Sequence, residues 1–313
     1  MLISNLLNES FHLLLFQISK KKIMNRIKLL ILLVIICIST VNAQLLWKIS
    51  GHGLRQNSYL LGTHHLISIS FLDSIPGVYP AFNKSKMVVS EIVFSNQDVS
   101  AKIQKASTLP DSVTMKNLLS AEDFDFVNKE LIDVLKMNLL SINKMHPSLI
   151  QTFYELELYK ERAHFDPNTK SDSYFQLVAS QKGIPVAGLE TVDKQIELLF
   201  PKDNLKKSAE ELVKTIRKKD LLFADYQQLN KLYRSGDIEG LSEMNKAWNR
   251  EWGVTAEENA RQLDLRNIEW VKQLPELMKS NSCFIAVGAL HLPGENGLIH
   301  LLRKKGYKVK PVK

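Results

Sequence analysis

Cysteine is almost missing from this chain: two in 313 residues, Cys37 and Cys283. No disulfide framework can be built from them, so folding must rest on a buried apolar core. Cys283 sits in an apolar run that reads as a buried strand, where a thiol is usually inert. Cys37 lacks the small residues of a lipid-attachment box before it. Long hydrophobic runs are missing too. Leu29 to Ile38 falls well short of the roughly 20 residues that span a membrane. Basic charge is present in bulk but forms no stripe. Lys and Arg number 41 against 33 acids, a net +8. Residues 1–43 hold five of those bases and one acid, leaving 36 and 32, or +4 (36 − 32), for the rest. With no dense basic run interleaved with aromatics, nucleic acid is not an expected partner. Runs such as Lys206-Lys207 and Arg217-Lys218-Lys219 read as solvated helix faces.

What is present begins with a targeting layout. Lys20, Lys21, Lys22, Arg26 and Lys28 precede the apolar run, and Val41-Asn42-Ala43 supplies small residues for cleavage. This is the three-part pattern of a secretory signal over residues 1–43. The charged region opens at Met24, which fits a true start there. The rival reading is a retained amphipathic anchor. A cleaved signal predicts an exported protein, periplasmic or secreted, with no stable membrane span.

Two stretches then repeat one device, Ser58-Tyr-Leu-Leu-Gly-Thr-His-His65 and Cys283-Phe-Ile-Ala-Val-Gly-Ala-Leu-His291. Each is a short apolar run followed by Gly-x-x-His. Thirteen Gly and eight His in 313 residues give about 0.3 such matches by chance (13 × 8/313), and the chain has three. The third, Gly297 to His300, falls in a helix pattern, so only the strand context separates the first two. Gly62 and Gly288 are expected to let the backbone turn tightly. His65 and His291 would then project past strand ends, where ligands gather in open α/β sheets. Both read equally well as loop histidines satisfied by backbone groups. Met87 to Val93 reads as a buried strand interrupted by Glu91, a carboxylate costly to bury unless it is paired or bound to a metal. An outward-facing Glu91 is the alternative. Glu190 stands at a third strand end, where an acid also suits the start of the next helix.

Between these lies a helical middle, about 98–280. Ser120 opens a helix to about Met137, and Pro147 opens another to about Ala163. Tyr154, Leu158 and Arg162 share one face, a pattern that most often marks core. Asp172 is expected to cap a helix over 173–181, ended by Gly183. Lys202 to Tyr233, Asp237 to Trp248 and Glu257 to Lys279 are further helical stretches. The pattern predicts a mixed α/β (α+β) domain over 44–313, its central sheet built from N- and C-terminal segments.

The residues that carry a wider likeness are those two stretches, Val88-Val-Ser-Glu-Ile92, Pro185-Val-Ala-Gly-Leu-Glu-Thr-Val192 with Gln195, and Ala286 to Leu298 with Gly306-Tyr-Lys-Val309. Over roughly residues 44–312 they resemble the TraB/GumN family, which includes the Tiki proteases and is distantly similar to erythromycin-esterase-like and ChaN-like proteins. The resemblance implies that the Gly-x-x-His motifs and the glutamates meet in one cleft and that activity is peptidase-like and metal-dependent. One departure is Val93, where many members carry an acid two residues after the strand glutamate.

On that reading His65, His291 and Glu91 would hold a divalent ion, with Zn, Mn, Co and Fe not distinguished. Glu91 would alternatively be a general base. Glu190 would orient a histidine or complete the set. Arg266 would hold a substrate carboxylate or steady a carbonyl oxygen, and His64 and Asn267 would contact a peptide or small-molecule substrate. The alternative is a secreted protein that binds a peptide or haem in the same cleft without turnover. A third reading is an ester hydrolase with a histidine base and no metal.

Overall fold

The central strands are short and apolar, as a sheet covered on both faces requires. β1 (Leu46–Ser50), β2 (Ser58–Thr63) and β3 (Met87–Ser90) come from the start of the domain. β4 (Val186–Gly188) comes from the middle, and β5 (Cys283–Gly288) and β6 (Lys308–Pro311) from the end. They form one six-stranded sheet in the order β4-β3-β5-β2-β1-β6. The computed structural model describes residues 44–94, 98–166 and 174–313. The signal over residues 1–43 and the Asp172 cap lie outside the described residues.

β2, β5, β3 and β4 run parallel, while β1 is antiparallel to β2 and β6. The β1–β2 turn is left-handed at Gly51, His52 and Gly53, with φ of 78°, 47° and 78°. Two glycines there relieve most of the strain that side chains would bring. The parallel register pairs Thr63 with Gly288, Ser90 with Ala286, and Ser90 with Gly188. Four C-terminal strand ends therefore lie side by side. Such crossovers need helices between the strands, and the chain supplies them.

The helices are α1 (Val78–Lys84), α2 (Asp98–Ala106), α3 (Met115–Leu118), α4 (Ala121–Leu135), α5 (Pro147–Ala163) and α6 (Tyr174–Gln181). Then come α7 (Val192–Leu199), α8 (Leu205–Arg217), α9 (Lys219–Ser235) and α10 (Ile238–Trp252). α11 (Ala256–Asn259) passes through a π-helical turn, Ala260–Asp264, into α12 (Leu265–Ser280), and α13 (Leu298–Lys304) follows. The Ser120 hydroxyl accepts the amide of Asp123, capping α4 as its sequence signals. No helix among the described residues is long and apolar enough to cross a membrane.

Two apolar cores result. One packs Leu60, Val88, Phe284, Ile285 and Trp270 around the sheet. The other packs Leu131, Ile150, Tyr154, Leu158, Leu212 and Ile216 among the helices. The Tyr154 and Leu158 face is thus core, while Arg162 is exposed.

Three expectations need correction. β3 ends at Ser90, so Glu91 follows the strand rather than interrupting it. The charged stretch from Lys202 is not continuous: Asn204 caps α8, and the chain breaks at Lys218 before α9. Gly62 and Gly288 are not turn glycines. Gly62 lies inside β2, neither has a positive φ, and what Gly62 permits is close packing. A Cβ on Gly62 would stand 3.0 Å from Ala289 Cα and 3.1 Å from Leu292 Cδ2. A Cβ on Gly288 would meet Glu91 Oε1 at 3.4 Å and His291 Cδ2 at 3.5 Å, ordinary contact distances.

Gly62→Ala is therefore expected to cost about 1–3 kcal/mol by overpacking, and Gly288→Ala less. Urea midpoints at unchanged slope measure both. Equal stability of Gly62→Ala and the parent would remove the close-approach account.

Candidate active site at the strand ends

The four parallel strand ends set the floor of a cleft. β3 delivers Ser90 and then Glu91. β4 leads through Leu189 to Glu190, whose amide donates to the Glu91 carbonyl at 2.9 Å. β5 runs into a short 3-10 turn, Ala289–His291. β2 ends at Thr63, with His64 and His65 beyond it. The last component arrives on α12, which begins after the π-helical turn, a feature frequent at functional sites. Its first turn carries Arg266 and Asn267, and Trp270 lies four residues on, on the same face.

Arg266 is the hub. Its Nη2 donates to Glu91 Oε2 and to Glu190 Oε1, each at 2.6 Å. Its Nε reaches both Glu190 oxygens at 3.1 Å. Its Nη1 donates to the Gln262 carbonyl at 2.9 Å and stands 3.2 Å from His291 Nε2. The Glu190 side chain is 2% exposed and that of Arg266 8%, so this pairing is made in a low-dielectric interior. The guanidinium also stacks on Trp270, with Cζ 4.7 Å from the ring centroid. Trp270 Nε1 donates to Glu190 Oε2 at 3.3 Å.

The remaining partners fix orientation. Glu91 Oε1 accepts the Gly288 amide at 2.8 Å, and Oε2 accepts Gln195 at 3.1 Å. His291 Nδ1 lies 2.7 Å from Asn267 Oδ1. The Asn267 amide donates to the Asn296 and His291 carbonyls, so its oxygen can only be the acceptor here. Nδ1 therefore carries the imidazole proton, and Nε2 faces Arg266 as an acceptor. Burial pushes the His291 pKa down to about 4, with Arg266 adding to the fall and Glu91 opposing it. Burial works against ionisation of Glu91 as well. His291 when protonated, Arg266 and the Gly288 amide outweigh it and hold the carboxyl below its usual value. At neutral pH the imidazole is uncharged, so Arg266 and the amide do that work.

The expected residues are thus brought together unevenly. Glu91, Glu190, Arg266, Asn267 and His291 form one connected network. His291 Nε2 is 3.8 Å from Glu91 Oε1. His65 is exposed and lines a cavity of about 320 Å³ with Thr63, Ser90, Glu91, Gln195 and Arg266. His64 turns elsewhere: its Nε2 lies 2.7 Å from Asn230 Oδ1 and its ring packs on Tyr233. Asn267 is 2% exposed and holds His291 rather than meeting solvent. It fills the orienting role expected of Glu190, which instead pairs with Arg266. Gln195 closes on Glu91 from α7, and Ser90 Oγ is a buried side-chain oxygen with no hydrogen-bond partner among the described residues. Nothing in the spacing of Ser90 marks it apart from its place beside Glu91.

The family resemblance implies a divalent metal, and the donor chemistry bears on it. Glu91, Glu190 and His291 all contact the Arg266 guanidinium, a fixed positive charge that occupies lone pairs a metal would need. Among the described residues no three His, Cys, Asp or Glu side chains are grouped to hold a metal. In this arrangement the residues do not fit a resident divalent ion.

Sheet, cleft and buried arginine centre define an α/β protein with a pocket at its parallel strand ends. The TraB/PrgY/gumN family profile matches residues 45–311, and the chain belongs to that family. No curated protein and no solved structure matches it.

Arg266→Met is expected to destabilise the fold by about 3–5 kcal/mol, since it leaves two carboxylates without their cation. Arg266→Lys should recover part of that through a point charge without the fork. Urea unfolding of both variants measures it. A second expectation concerns pH. Above the ordinary histidine value near 6.5, His291 is neutral in folded and unfolded chains alike. As pH falls, the unfolded chain takes up that proton first, and the folded chain does so only near pH 4. Stability is therefore lost between about 6.5 and 4, by roughly 3 kcal/mol from this residue. Glu91, held low, adds loss in the same direction as acid protonates it. His291→Gln should flatten the stability–pH curve across that window. An unchanged curve would show that the imidazole is not buried neutral.

Proposed function

We propose that the cleft is a hydrolytic site for carbonyl bonds of a peptide-like substrate, in a protein exported from the cytoplasm. The observation that carries the reading is one cavity that joins an exposed imidazole, an ionised carboxylate and an orphaned hydroxyl, at His65, Glu91 and Ser90. His65 is the base. It takes a proton from water as the water oxygen bonds to the carbonyl carbon, then returns a proton to the leaving nitrogen as the C–N bond breaks. Glu91, held anionic, favours the imidazolium formed in between. Arg266 is a positioning residue: it holds Glu91 in place and is itself neutralised by two carboxylates. Family membership supports the peptidase-like class, and the charged, apolar and small-residue order of residues 1–43 supports export.

A binding role without turnover is the second reading. It is favoured by the saturation of Glu91, Glu190 and Arg266 by one another, which suits a rigid receptor as well as a catalyst. Purified residues 44–313, assayed on a peptide panel with and without chelator, separate the readings. The hydrolase reading expects turnover that survives chelation and falls about 10²–10⁴-fold in His65→Ala. Cleavage that His65→Ala leaves intact would remove it. Binding without cleavage, or a Soret band on adding haemin, would favour the receptor.

A further inference from the structure

A second, larger cavity of about 660 Å³ lies among α5, α8, α10 and the π-helical turn. It adjoins the first: Leu198, Leu199, Gln262 and Arg266 line both. Trp248 and Trp252 in its wall continue an aromatic stack that starts at Tyr226, behind the lining. Tyr226 and Trp248 lie 5.9 Å apart at 21°, and Trp248 and Trp252 lie 5.1 Å apart at 23°. The outer end of the stack already attracts cations: Lys214 Nζ and Lys218 Nζ each stand 5.7 Å from the Trp252 centroid. At the inner end, Tyr226 donates its hydroxyl to Glu155 Oε2 at 2.7 Å.

Glu155 is the unusual group. Its other partner is the Gln151 amide, at 2.8 Å on Oε1, and both partners are neutral. Among the described residues no cationic side chain forms an ion pair with it. Four cations, Arg261 among them, and five acids line the cavity, and among the described residues none of the four forms an ion pair with Glu155. Lys207 is bonded to Glu258 and stands 3.7 Å from Glu211, so it serves two carboxylates. Lys214 donates to the Trp252 carbonyl at 2.5 Å, and Arg266 is held by Glu91 and Glu190. Burial accordingly raises the carboxyl pKa of both Glu155 and Glu211. The wall is short of positive charge where a carboxylate meets an aromatic edge. A cation that enters would give Glu155 an ion pair that no described side chain supplies.

We propose that this cavity is a subsite for a lysine or arginine side chain of an extended peptide, with Glu155 as its counter-ion. The chain would run from the Glu91–His65 cavity past Leu198, Leu199 and Gln262, placing the cationic residue in the aromatic cavity. The proposal rests on a peptide-like substrate, but its test needs no turnover. Nα-acetyl-arginine amide and its neutral isostere Nα-acetyl-citrulline amide are titrated into purified residues 44–313. Tryptophan fluorescence and calorimetry read binding. Saturable arginine binding should exceed citrulline binding by about tenfold or more, a difference of about 1.4 kcal/mol. Glu155→Gln should erase the preference, and Glu155→Asp should restore part of it. Equal binding of the two ligands to the unmodified protein, or none for either at millimolar concentration, overturns the subsite. Arginine binding that depends on Glu155, in a protein that cuts no peptide, keeps the subsite and sinks the hydrolase reading alone.

Discussion

One guanidinium, buried between two carboxylates and facing an imidazole, sets what the rest of the site can be. Arg266 cannot lose its charge, so burying it demands anions on every open side. Glu91 and Glu190 supply them from the ends of two neighbouring parallel strands, and Trp270 covers one flat face. Burial, with Arg266 adding to it, keeps His291 neutral, with its proton on the side of Asn267. The same pairing holds Glu91 ionised at the edge of an open cavity. A pocket thus acquires one carboxylate of fixed charge and one imidazole, His65, that reaches solvent.

This constraint also orders the fold around it. The parallel run of β2, β5, β3 and β4 brings four chain segments to one edge although they are far apart in sequence. Gly62 lets the turn after β5 press against β2, which carries His291 to the depth of Arg266. The π-helical turn before α12 offers the Gln262 carbonyl to the guanidinium. Of these, the π-helical turn is a departure from regular structure, and it is made next to the arginine.

Much of this was legible in the residues. Short β-branched runs ending near Gly62, Ser90 and Gly288 announced strands, and the Ser120 and Pro147 starts announced helices, because those signals are local. Glu91, Glu190, Arg266 and His291 could be singled out because a charged or titratable residue at a strand end or in an apolar run needs a reason. Their roles were less legible. Asn267 looked like a substrate contact and instead fixes a tautomer, and His64 turned to Asn230. Glu155, Tyr226 and Trp248 gave no sign at all, since Glu155 sits on the helix of Tyr154 and Leu158, whose spacing speaks only of packing.

The amino-acid order by itself determined the element types, the two-stretch motif and membership of the family, because each depends on nearby residues or on pattern. Only the tertiary structure decided that the acids and the imidazole face an arginine rather than an open point in space. It alone set Leu198, Leu199 and Gln262 in the walls of two neighbouring cavities. The reason is physical: charge pairing depends on which side chains meet across the sheet edge, and spacing along the chain does not encode that distance.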